Sequence, residues 1–116
     1  MIESLNGLCT KEITLLSDGN VQPGMPVIIK DSYTVGIPGL NGRFFGICTS
    51  VKGNYATIAV SGIVTVAYTG PSLFLGYNTL ASDGNGKIRL DINGDDYFLV
   101  LNIDEENSLV TILLDK

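Results

Sequence analysis

Histidine and tryptophan are both missing from this chain of 116 residues. Without an imidazole, the usual serine, cysteine and zinc catalytic sets lose their base or their commonest ligand. Charge is scarce as well. Asp, Glu, Lys and Arg make up 16% of the residues, against roughly 25% in typical soluble proteins. Basic residues are the rarer kind, 7 against 12 acidic ones, which leaves a net charge of −5. Such a chain repels phosphate backbones, and neither Arg43 nor Arg89 sits in a basic cluster. Nucleic acid is therefore not an expected partner. Cysteine is limited to Cys9 and Cys48, too few for a disulfide framework, so both read as free thiols. No apolar run reaches membrane-spanning length, because residues 55–68 are too few and Ser61-Gly62 interrupts them. The opening Met1-Ile2-Glu3 lacks the positive charge of a secretory signal. The expectation is a protein made in a reducing cytosol, with no membrane.

What the chain does have is one short apolar run after another, separated by Gly, Asn and Asp. Residues 11–16 read as a first strand, turned by Ser17-Asp18-Gly19-Asn20. Pro23-Gly24 is a second turn signal, and residues 27–30 and 32–35 read as strands. Residues 36–42 carry the longest loop signal. Residues 43–51 and 55–60 read as strands around Lys52-Gly53-Asn54, and Ser61-Gly62 marks a bulge before residues 63–68. Residues 72–80 are ambiguous between a helical turn and irregular cover. Asp83-Gly84-Asn85-Gly86 and Asn93-Gly94 are further turns, and residues 97–104 and 109–115 form a last hairpin.

Turns about every ten residues, with no sustained helical period, indicate an all-β fold. The expected architecture is a small β-barrel or sandwich of short antiparallel strands, with at most one short helical turn. It is a single domain overall, read as an amino-terminal arm and first strand (1–20) followed by the barrel (21–116). Tyr97, Leu99, Leu101 and Ile103 would share one strand face, while Phe98 and Val100 make the opposite face apolar too. A strand apolar on both faces is expected to be covered on both. The cover would be the amino-terminal segment, residues 72–80 or a neighbouring subunit. Apolar residues at 45% exceed what one small core hides, and the simplest remedy is a second copy of the same chain.

Chemistry-bearing candidates read as structure. Asp95-Asp96 and Glu105-Glu106 are adjacent carboxylates near turns, and neighbours on a strand point apart instead of facing across a cleft. Residues 91–96 mimic the start of a calcium loop, but Asp96 stands where Gly is required and Asn102 where the bidentate Glu belongs. Gly84-Asn85-Gly86 lacks the third Gly of a dinucleotide fingerprint. Cys48 has no imidazole to activate it. No catalytic residue, cofactor or metal ligand is assigned. An enzyme using Asp and Tyr alone would need a pocket containing Asp91, Asp95 or Asp104, and Lys52 lacks the neighbouring Met expected of a carrier-domain lysine.

Several features arrive in a familiar order: Pro23-Gly24 before Val27-Ile28-Ile29, Phe45-Gly46-Ile47-Cys48 after a Gly-rich loop, and residues 59–66. Gly76-Tyr77-Asn78-Thr79-Leu80, Asp83-Gly84-Asn85-Gly86-Lys87-Ile88 and Val110-Thr111-Ile112-Leu113 follow. Over residues 21–114 this resembles the small β-barrel decoration proteins of tailed-phage and prophage heads, in the style of the lambda-type family and an uncharacterised prophage domain family. The resemblance implies a non-enzymatic capsid-stabilising protein, a homo-oligomer with a trimer favoured, bound to the major coat protein of a phage head. It implies a bacterial cytoplasmic location during assembly and then the virion surface. The family's arm would map onto residues 1–10, with Ile2, Leu5 and Leu8 as partner contacts. The alternative from a different class is a small β-barrel module binding an oligosaccharide or a protein partner.

Overall fold

The structure, a computed structural model, describes residues 11–114. The proposed arm contacts Ile2, Leu5 and Leu8, and Cys9, lie outside the described residues. Nine strands and no helix form among those described: β1 (Lys11–Ser17), β2 (Pro26–Asp31), β3 (Thr34–Gly36), β4 (Gly46–Lys52), β5 (Tyr55–Thr69), β6 (Gly76–Ser82), β7 (Ile88–Leu90), β8 (Tyr97–Asp104) and β9 (Leu109–Leu114). The fold is all-β, as the turn spacing predicts, and of the two expected architectures it is the closed one.

The long strand β5 organises the molecule. Its first half completes a five-stranded ring, β1-β3-β2-β4-β5, closed by the β1–β5 pairing. Its second half completes another, β5-β7-β6-β8-β9, closed by β5–β9. Closure gives the ladders partners around each ring and suppresses edge-to-edge pairing with other chains. β1 thus belongs to the barrel. It runs antiparallel to β5, with Lys11 opposite Ser61 and Leu16 opposite Tyr55. β9 ends with Leu114 opposite Gly62. The described chain therefore begins and ends at the middle of β5. Gly62 lies there at φ 103°, a conformation only glycine adopts without strain.

Each ring has its own apolar core. Val21, Val27, Val35, Cys48, Ala56 and Ile58 fill the first. Phe44, Ile47, Ala59, Val66, Phe98 and Ile112 are among those filling the second. The β4–β5 pair is the wall between them. Successive strand residues point to opposite faces, so Cys48, opposite Ile58, enters the first core, while Ile47, opposite Ala59, enters the second. This is why the run Phe44-Phe45-Gly46-Ile47-Cys48 is apolar without alternation.

Three sequence expectations need correction. The strand expected over 43–51 begins only at Gly46. Phe44 is buried in the second core and Phe45 packs against the first, so the chain is still crossing between the rings. Residues 32–35 are not all strand: Ser32 and Tyr33 form the β2–β3 turn, with Tyr33 at φ 55°. Residues 72–80 contain no helical turn; irregular Leu73 packs into the second core with Phe98 and Ile112. The second half of the stretch is β6, which pairs with β8 within the same sheet.

Candidate interaction face

The second ring separates its residues cleanly. Val64, Val100 and Ile112 sit opposite one another across β5, β8 and β9, and all three are buried. One residue along, Ile63, Leu113, Leu99 and Tyr77 form the next row across β5, β9, β8 and β6. Because the side-chain period of a strand is two, this row stands on the outside. At a strand spacing of about 4.8 Å it spans roughly 14 Å. No residue of the row carries a charge.

The row is not level. Tyr77 is 73% exposed, whereas Leu99, Leu113 and Ile63 are half-buried. Tyr97, opposite Thr79, adds a second projecting ring at 61% exposure. Leu101 sits at a register shift between Val100 and Asn102, where it is 42% exposed. On the β9–β5 side the outer positions are Thr111 and Thr65, whose hydroxyls lie 2.9 Å apart in a hydrogen bond. The face therefore has a high aromatic side on β6 and β8 and a low aliphatic side on β9 and β5.

Local contacts hold β6 where it presents Tyr77. Asn78 points inward and is buried. Its Oδ1 accepts from the Phe74 N–H at 3.1 Å, and its Nδ2 donates to the carbonyls of Phe74 at 2.7 Å and Gly76 at 3.1 Å. At the other end of β6, Ser82 Oγ donates to the Pro38 carbonyl and accepts from the Gly84 N–H. The next residue, Asp83, ties the turn to β5. Its carboxylate accepts from the Thr69 hydroxyl at 3.0 Å and from the N–H groups of Asn85 and Lys87 at 2.7 and 2.9 Å. Partial burial works against the charge on Asp83. The bonds from Asn85, Lys87 and Thr69, helped by the Lys87 ammonium, outweigh it and hold the carboxyl below its usual range.

The carboxylates singled out from the sequence are divided among separate places. Asp91 and Asp95 line a depression of about 300 Å³ together with Arg43 and Asp96. Arg43 reaches Asp95 at 3.5 Å and Asp96 at 3.9 Å. Asp104 lies apart, at the end of β8, where it accepts from the Asn107 side chain at 2.8 Å and the Asn107 N–H at 3.2 Å, which holds its carboxyl below the usual range. Glu105 and Glu106 are exposed in the same turn. Among the described residues, no group of three or more Asp, Glu, His or Cys side chains is placed to hold a metal ion.

Of the face residues, Tyr97, Leu99 and Leu101 were visible in sequence as one side of a doubly apolar strand. Tyr77 reads from the sequence only as one of several tyrosines with an interface or core role, and its strand does not, because residues 72–80 show no decisive period. The signal present was a β-favouring Tyr77-Asn78-Thr79-Leu80, with inward Asn78 and Leu80 alternating with outward Tyr77 and Thr79.

No protein-family model and no curated protein matches the chain. Among solved structures it is similar to the head fiber gp8.5 N base of bacteriophage phi29, with a TM-score of 0.65 and 14% identity, over 91% of this chain and 94% of that one. At that identity the likeness is one of fold.

Proposed function

We propose that this chain is a non-enzymatic structural protein of a phage or prophage head. It acts as a homo-oligomer, with a trimer favoured, that decorates or stabilises the shell by binding the major coat protein. The observation that carries the reading is the uncharged centre of the outer face of β5, β9, β8 and β6 on a closed all-β scaffold. Such a face suits protein-to-protein packing, since contiguous exposed apolar patches on small proteins mark interaction sites. The fold shared with a phage head fiber base supports the reading and names the kind of particle on which to look. On a symmetric shell many modest contacts add by multivalency, so a single site need not be tight. Ile2, Leu5 and Leu8 of the amino-terminal segment are the proposed coat contacts.

The test is direct. Heads are purified by density gradient after induction of the host, and this chain is sought by quantitative mass spectrometry and by antibody labelling of intact particles. The expected result is a fixed, high copy number per head with surface-accessible epitopes. Absence from purified heads overturns the proposal. Genes for portal, protease and major coat protein beside its own would support it.

A further inference from the structure

We infer that the outer face of β5, β9, β8 and β6 is where one copy of this chain packs against another, the high tyrosine side of one seating on the low aliphatic side of the next. The inference rests on the structural-protein reading and specifies its self-contact. Three observations carry it. First, the face has matching relief: Tyr77 and Tyr97 project at one side, while Leu113 and Ile63 lie half-buried at the other. An identical copy supplies the complement to each side without any further partner. Second, the face is neutral at its centre on a chain of net charge −5. Two such copies repel through most of their surfaces, and here they meet without opposing carboxylates. Third, the anchors are of the right kind: Tyr77 at 73% and Tyr97 at 61% exposure dominate the accessible surface of the face, and tyrosine is among the residues enriched at the energetic centres of protein interfaces. Because both rings are closed, the contact is made by side chains and not by added strands.

Tyrosine against aliphatic is one contact type, and it serves either a two-fold pair or a closed ring of three. Asp95 precedes β8, Asp104 is its last residue and Glu105 follows it, so all three lie at the ends of the strand, outside the neutral centre. Like-charged ends brought near each other make self-association tighten as salt screens them. A basic partner on the same face would show the opposite dependence.

The experiment is light scattering coupled to gel filtration on the full chain, run over a concentration series and from about 0.05 to 0.5 M NaCl. The wild type is expected as a discrete dimer or trimer that tightens with salt. Tyr77→Glu places a charge on the high side, at a position exposed enough to keep the fold, and is expected to weaken assembly at least about 100-fold. Its circular dichroism should be unchanged, and its melting temperature should match that of the wild type diluted to monomer. Tyr55→Glu, at a tyrosine of the first ring that is also more than half exposed, should assemble like the wild type. Three outcomes overturn the inference: a wild type that stays monomeric, a Tyr77→Glu variant that assembles normally, or assembly lost only when residues 1–10 are removed. A monomer that still occurs in purified heads would leave the structural role standing, so the two failures are distinguishable.

Discussion

Phe44 and Phe98 stack face to face in the second core, ring centroids 4.9 Å apart and planes within 5° of parallel. Phe98 belongs to β8, whereas Phe44 lies on the connection that leaves the first ring just before β4. The pair therefore joins the two rings through side chains, beside the backbone link that β5 provides. Phe44→Ala should cost about 3–5 kcal/mol, as for large aromatic truncations in packed cores. Because the rings share β5, the variant should still unfold in one urea transition. Two separated transitions would show that the rings are independent units.

Gly46 opens β4 directly after the two core-packing phenylalanines, Phe44 and Phe45. A Cβ there would lie 2.5 Å from the Ala59 carbonyl oxygen and 2.6 Å from Ile58 Cγ2. The nearer obstacle is backbone and cannot swing aside, so Gly46→Ala should cost about 3 kcal/mol, the upper end for overpacking. Gly39→Ala meets nothing within 4 Å and should stay within about 0.5 kcal/mol of the wild type. Chemical denaturation of both variants checks the contrast.

Asp83 should make the protein acid-sensitive. Its folded carboxyl titrates below the unfolded value of about 3.9. Folding therefore favours the charged form. The contribution is fully present above the unfolded value and is lost as pH falls through the lower folded value. Melting temperatures from pH 7 down to 2.5 should fall less steeply for Asp83→Asn than for the wild type at the acid end. Identical slopes would show that the turn carboxylate is not coupled to folding.

Cys48 is buried in the first core. Burial pushes its thiol up, only partly offset by a backbone hydrogen bond at Ser50. In a Cys9→Ser background, Cys48 should resist alkylation at pH 8 and react once denaturant unfolds the chain. Rapid native labelling would mean that the first ring opens readily.

Asn78 should matter more than its small size suggests. Asn78→Ala removes three hydrogen bonds from a buried site and leaves the Phe74 N–H and carbonyl to find other partners. The expected cost is about 2–3 kcal/mol. Faster amide exchange at Phe74, with β8–β9 amides little changed, would confirm that the loss is local to the approach to β6.

The sequence by itself determined the strand content and most turns. Gly, Asn and Asp set backbone geometry within a few residues, and Asp18, Gly53, Asp83 and Asn107 act in the structure at turns legible from composition alone. Half of the candidate face was legible too, since residues 97–101 read as apolar on both sides. Tertiary structure alone decided that β5 serves two rings, that Ile47 and Cys48 feed different cores, and that Tyr77 joins Leu99 on one surface. Those outcomes depend on which distant strands pair, and pairing is governed by contacts between residues far apart in the chain. A local pattern shows that both sides of a strand are apolar. Only closure of the rings decides which side becomes core and which is left for a neighbour.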